Sequence, residues 1–248
     1  GGVVLRRVML TIRFDGTAYH GWQVQNNAVT VQSRLQDAVE AVLGYRATVT
    51  GCSRTDSGVH ADMFCCHTDI QKDISDKRLI SALNAHLPRD IAVYGCETVA
   101  PDFHARYCCK GKNYIYRMYD SDYRNPFYDG YALHVKHRLD DRLMNSAAQH
   151  FLGKYDFSAF CSSGSSVEDK IRCVTDASVT RNGDEVIFSV TADGFLYNMV
   201  RIMAGTLLYV SDGKITPDDI PDIISSVDRL RAGKTAAAHG LYLKRDYY

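Results

Sequence analysis

An α+β fold with mixed sheets is what this sequence predicts, and two observations carry the prediction. Strand-like and helix-period runs alternate through both halves of the chain. Several strand runs are also immediate neighbours joined by hairpin signals, which a doubly wound parallel sheet would not contain.

The elements follow in order. Residues 8–14 alternate apolar and polar side chains and run into Asp15-Gly16, so they read as a strand and turn. Thr30 is an N-cap type. Val31, Leu35, Ala38, Val39 and Val42 then share one helical face until Gly44 supplies a stop. A short strand over 47–50 leads into a loop reaching His60, and a strand over 63–70 returns. Residues 75–87 read as a helix ended by Pro88, and 91–99 and 113–119 as two more strands. In the second half, 139–152 reads as a helix with Gly153 beyond it. Strands over 172–180 and 185–191 flank Asn182-Gly183-Asp184, a hairpin signal. A mostly apolar helix is expected over 195–210, another opened by Pro217 at its first position, and a last strand over 240–245. Residues 119–129 are the best candidate for a hinge between the halves.

Composition narrows the function classes. With 46% hydrophobic residues and five prolines in 248, the chain is neither disordered nor a proline-rich fibre. No apolar run is long enough to span a membrane. The 29 basic and 29 acidic residues are spread evenly, so neither half is a basic domain, although a local patch remains open. Eight cysteines include two adjacent pairs and no C-x-x-C, which reads as reduced thiols in a cytoplasmic protein. Charge follows at once on the few apolar residues of 1–7, so that stretch does not read as a signal peptide. No metal-ligand spacing and no glycine-rich nucleotide cradle occurs, so neither a metal nor a nucleotide cofactor is expected.

Three segments could carry chemistry. Arg54-Thr55-Asp56-Ser57-Gly58-Val59-His60 packs a guanidinium, a carboxylate and an imidazole into one loop. Asp56 there suits a nucleophile, a general base or a metal ligand, and equally a turn residue capping backbone amides. Residues 103–119 interleave Arg106, Lys110, Lys112 and Arg117 with Phe103, Tyr107, Tyr114, Tyr116 and Tyr119, without an acid. That pattern suits flipped-out or single-stranded nucleotides, and equally a strand with aromatic core packing. Alternation puts Tyr114, Tyr116 and Met118 on one face. Arg201 lies in an apolar helix and needs either a partner, for which Asp56 is a candidate, or a path to the surface.

Taken together, these segments resemble the bacterial tRNA pseudouridine synthase A family over essentially the whole chain. Phe14-Asp15-Gly16, Gly21-Trp22-Gln23 and Thr30-Val31-Gln32 are similar to its amino-terminal signature. Arg54-Thr55-Asp56 with Gly58-Val59-His60-Ala61 resembles its active-site motif. Lys112-Asn113-Tyr114 with Tyr116, Phe195 through Arg201, and Gly240-Leu241 follow in family order. Cys52-Ser53 stands where the family usually has Ala-Gly, and 236–239 lacks the usual proline.

The resemblance implies two ferredoxin-like α/β halves, 1–120 and 121–248, forming a central mixed, mainly antiparallel sheet with a catalytic cleft. It implies isomerisation of uridine to pseudouridine at positions 38, 39 and 40 of the tRNA anticodon stem-loop, without cofactor or metal. Asp56 would be the nucleophile and Arg201 its charge partner. Tyr114 would stack on the uracil or serve a late proton transfer, Arg54 would help displace or replace the flipped base, and Leu241 would line the apolar wall. A homodimer gripping the anticodon arm is implied as well. Two other readings stay open on the residues alone: a non-catalytic RNA-binding module, and a glycoside hydrolase using Asp56 with a second carboxylate, for which Asp62 is nearest in sequence.

Overall fold

Alternating burial along the strands and one-sided burial along the helices build an α+β molecule whose strands pair almost entirely antiparallel. The computed structural model describes residues 2–248, so Gly1 of the amino-terminal stretch lies outside the described residues. Two compact units form among the described residues, 2–110 with Leu243–Tyr248, and Gly111–Tyr242.

In the first unit, β1 (Arg6–Phe14) is central, antiparallel to both β3 (His60–Ile70) and β4 (Ile91–Val99). The short β2 (Thr50–Gly51) pairs with β3. Residues 243–247 of β10 (Leu241–Tyr247) also belong to this unit. Val8, Leu10, Ile12, Phe64 and Ile70 are buried on these strands, each contributing about 1.5–3 kcal/mol. Helix α1 (Val31–Leu43) starts at a capping box, Thr30 and Ser33 satisfying each other's backbone N–H, and stops at Gly44 with φ +86°. Helix α2 (Asp76–His86) is capped by Ser75, whose hydroxyl accepts from Arg78 N–H. The strand expected over 47–50 shrinks to two residues. Gln36 accepts from Val49 N–H and Gln32 donates to Val49 C=O, so side chains occupy groups that a ladder would have used.

The second unit orders β5 (Gly111–Asp120), β9 (Glu185–Ala192), β8 (Ile171–Asn182) and β7 (Gly153–Asp156) side by side, all antiparallel. The short β6 (Leu133–Val135) lies parallel to β5. Asn182-Gly183-Asp184 makes the expected hairpin, with Asn182 opposite Glu185. Phe151, Phe160 and Phe188 fill the core beneath helices α3 (Asp141–Ala148) and α4 (Met199–Ser211), with Phe151 edge-on to Phe160 at 5.3 Å. Three expectations change here. The helix expected over 139–152 is cut to α3 and a 3-10 turn, because Asp140 caps it by accepting from Leu143 N–H. The helix expected from 195 begins at Met199, because Asn198 sits in the left-handed region at φ +60° and breaks propagation. Helix α5 (Asp219–Ser226) begins two residues after Pro217. Strands β6 and β7 were not anticipated, being too short to show a period.

One ion cluster ties the second unit. The Arg181 guanidinium donates to both carboxylate oxygens of Asp120, at 2.9 and 2.7 Å, and to Asp141 at 2.7 Å. It also reaches the Leu139 and Gly183 carbonyls. Asp120 is 5% exposed and also accepts from Leu139 N–H. Beside Arg181, the Asp120 and Asp141 carboxyls are held below the usual carboxylate range. In the first unit, Arg7 binds Asp69 through two nitrogens and donates to Phe103 C=O. Nearby, His67 Nδ1 accepts from Ala105 N–H at 3.0 Å. Burial, aided by the charge of Arg7, pushes its imidazole down to about 4.

Two stability predictions follow from these groups. Arg181→Met leaves the Asp120 carboxylate buried without its partner and should cost about 3–5 kcal/mol in urea denaturation; a loss near zero would show that the cluster is solvated and inert. His67 stays neutral when folded, so its contribution is complete above the ordinary pKa of 6.5 and is lost as pH falls toward about 4. His67→Asn keeps an acceptor for Ala105 N–H. Thermal denaturation should show a shallower fall in Tm across that window than the parent, and an identical fall would overturn the assignment.

Candidate active site

Glycines without side chains decide where the Arg54–His60 loop lies. The loop joins β2 to β3 and rests directly on the backbone of residues 16–22. A Cβ placed on Gly16 would lie 1.9 Å from the Val59 carbonyl oxygen, and one on Gly21 would lie 2.2 Å from that of Thr55. Gly21 also has φ +76°, which other residues rarely adopt. Hydrogen bonds then fasten the loop. Trp22 N–H donates to Thr55 C=O at 3.3 Å, Gly58 N–H donates to Tyr19 C=O at 3.3 Å, and Val59 N–H closes onto Asp56 C=O at 3.1 Å. His60 is buried, and its Nδ1 accepts from Gly16 N–H at 2.9 Å.

Trp22 locks this arrangement to the core. It is 1% exposed and packs on Phe64 of β3, ring centroids 4.4 Å apart. Helix α1 docks its first turn on the same segment, Val31 N–H donating to Gly21 C=O and Gln32 N–H to Trp22 C=O. The Gln32 amide accepts from Val24 N–H and donates to Val49 C=O, clamping both sides of the loop's support. Within the loop Thr55 is buried, Asp56 is half-buried and Arg54 is exposed. The Thr55 hydroxyl has no hydrogen-bond partner in its burial. Asp62 is carried onto β3, where its carboxylate binds Lys244 at 2.7 Å and lies 3.7 Å from Arg13.

The second unit holds the other three residues. Tyr114 is 8% exposed on β5, on the face shared with Tyr116 and Met118, and meets Phe195 edge-on at 5.1 Å. Arg201 lies in the first turn of α4, half-buried. Its Nε donates to Ala236 C=O at 2.7 Å and one Nη to Asn198 Oδ1 at 3.2 Å. Ala236 N–H returns a bond to Arg201 C=O. The strand of chain that receives these bonds presses onto α4: a Cβ on Gly205 would stand 1.7 Å from Lys234 C=O, and one on Gly233 2.5 Å from Thr206 N. Tyr116 donates to Ala237 C=O at 2.7 Å. Burial pushes that phenol up, against a small opposite pull from Arg201. Leu241, 7% exposed, follows at the start of β10.

The five predicted residues are thus two on one loop of the first unit, Arg54 and Asp56, and three in the second, Tyr114, Arg201 and Leu241. Sequence reasoning did not single out Asn198, which orients Arg201, or Gln32 as a clamp. The left-handed tolerance of Asn was the available signal for the first. Among the described residues, no three or more His, Cys, Asp or Glu side chains are grouped to hold a metal, and no helix is long and apolar enough to cross a membrane. Among the described residues, none of the eight cysteines is joined in a disulfide.

The chain matches known proteins throughout. Residues 10–108 and 147–248 match the family model described as tRNA pseudouridine synthase. A tRNA pseudouridine synthase A of Acetivibrio thermocellus is 48% identical over 98% of this chain and 100% of its own length. One from Ruminiclostridium cellulolyticum is 45% identical, again over 98% of this chain and 100% of its own. One from Shouchella clausii is 42% identical over 96% of this chain and 92% of its own.

The glycine contacts make a paired prediction. Gly21→Ala drives a methyl into Thr55 C=O, while Gly44→Ala, also at positive φ, meets open space. Backbone strain alone is worth about 1–2 kcal/mol, which is what Gly44→Ala should lose. Gly21→Ala should lose clearly more, and proteolysis should cut at residues 52–59 first; equal losses would show that the loop moves aside freely.

Proposed function

The chain belongs to the tRNA pseudouridine synthase family, an isomerase family, and on that footing we propose that it converts uridine to pseudouridine at positions 38, 39 and 40 of the anticodon stem-loop, with Asp56 as nucleophile. The observation that carries the reading is the 48% identity, over nearly the full length, to a tRNA pseudouridine synthase A relative, with Asp56 on a loop fastened by its backbone to Tyr19 and Trp22 and lying against Gly16 and Gly21. A reacting carboxylate must be held to within a fraction of an ångström, and backbone contacts of this kind do that better than flexible side chains.

The reaction needs no net atoms. The bond from C1′ to N1 breaks, the uracil turns, C5 bonds to C1′, the proton on C5 is lost and N1 gains one. Asp56 attacks an extruded nucleotide, as base-modifying enzymes require, and the bond it forms breaks again before the product leaves, which returns the carboxylate. Arg201 pairs with Asp56 and favours its ionised form. Its guanidinium is well suited to that role, being held by Ala236 and Asn198 instead of swinging in solvent. Tyr114, with its ring steadied by Phe195, stacks on the uracil or moves the late proton, and so holds the free base against escape. Arg54, exposed beside Asp56, takes the place of the extruded base. Leu241 gives the apolar wall. The two ferredoxin-like halves work as one catalytic unit in a cytoplasmic homodimer that grips the anticodon arm, without metal or nucleotide cofactor.

The test uses unmodified tRNA transcript tritiated at C5 of uridine, in chelator-containing buffer. The parent should release tritium to water from positions 38–40. Asp56→Asn should release none while binding tRNA within a few-fold of the parent. Salt-sensitive binding without release by the parent would favour the non-catalytic module; collapse of binding in Asp56→Asn would make Asp56 a structural residue.

A further inference from the structure

An open recess of about 830 Å³ lies wholly within the second unit. Its wall includes Lys170, Arg229 and Lys234 with the hydroxyls of Ser162, Ser163 and Ser165, and no carboxylate lines it. In a chain with equal numbers of acids and bases, that segregation creates a local positive field. The acids of the same loop are outside the wall, and the Asp169 carboxylate is turned to accept from Ile171 N–H.

The cations are built in, not merely present. Arg229 donates to Gly233 C=O at 2.7 Å and to Thr235 Oγ1 at 3.3 Å, which fixes its fork in the wall. Lys170 is held by Val167 C=O at 2.8 Å. Lys234 is exposed, and its backbone presses on Gly205 of α4, which fixes the root of the side chain. The recess also adjoins the group that orients Arg201. Ser162 N–H donates to Tyr197 C=O, and its hydroxyl accepts from the Asn198 amide, whose oxygen in turn receives Arg201.

We propose that this recess binds phosphodiester oxygens of the RNA strand beside the target nucleotide. The inference rests on the tRNA reading above and locates where the strand runs. Phosphate contacts supply most of the affinity and the register in such complexes, and a Lys point charge, an Arg fork and hydroxyls are the groups that make them. The recess is open and larger than one anion requires, which fits a strand passing across it better than a captured small molecule.

The experiment measures tRNA binding across a KCl series for the parent, Lys170→Gln, Lys234→Gln, the double variant, and Lys154→Gln, which removes the same charge from β7 outside the recess. Each recess variant should weaken binding severalfold and flatten the slope of log K against log[KCl] by about 0.7–0.9, with the double variant losing twice that. Lys154→Gln should leave the slope unchanged. Parent-like slopes in the recess variants, or an equal loss in Lys154→Gln, would overturn the proposal. So would parent-like slopes together with a Tm rise in millimolar inorganic phosphate that Lys234→Gln abolishes, since that marks a free-anion site. Tritium release is read on the same samples. A parent that isomerises while recess slopes stay unchanged sinks this inference alone; a parent that does not isomerise while the slopes flatten sinks the catalytic reading and leaves an RNA site.

Discussion

The close approach of one backbone to another, with no side chain between them, is the constraint on which the first unit depends. Gly16 and Gly21 let the Arg54–His60 loop lie within hydrogen-bonding distance of residues 16–22. Everything around the loop then follows. Trp22 is driven against Phe64, α1 is docked by its first two N–H groups, and Gln32 bridges the remaining carbonyl and amide. A side chain at either glycine would open a gap through the whole stack, and interiors at native density do not tolerate such gaps cheaply.

The second unit solves the same problem with the same device. Gly205 on α4 and Gly233 opposite it bring residues 233–237 onto the helix, where the Ala236 and Ala237 carbonyls receive Arg201 and Tyr116. In both units a loop is fastened to its support through main-chain contacts. Half-buried arginines with carboxylate partners, Arg181 in one unit and Arg7 in the other, tie strands to neighbouring elements by the complementary route and reach loop carbonyls at Leu139 and Phe103.

Where the sequence carried period and punctuation, the fold was legible. The strand over 91–99 and the cap, face and stop of α1 stand where alternation, Thr30 and Gly44 put them. Legibility failed where side chains or single residues override the local pattern. Gln32 and Gln36 take the hydrogen bonds of Val49, and Asn198 interrupts a helical pattern that continues unbroken in hydrophobicity. The loop with Asp56 stood out by its density of charged residues and glycines. The glycines it rests on, Gly16 and Gly21, work by proximity, which depends on long-range packing and is not visible in the local pattern. Tyr114 on the face of Tyr116 and Met118 was readable from alternation; the hold of Asn198 and Ala236 on Arg201 was not, because its partners lie across a turn and 35 residues away.

The last strand has a consequence for how the molecule is made. Residues 243–248 belong to the unit begun by the first hundred residues, and Asp246 accepts from Cys65 N–H while Tyr248 donates to Ala105 C=O. The intervening unit, by contrast, is one uninterrupted stretch of chain. Domains usually mature from the amino terminus during synthesis. Here the order is inverted: the inserted unit has all its residues before the first unit has its closing strand. Of the two units, the one carrying Asp56 is therefore the later to be completed.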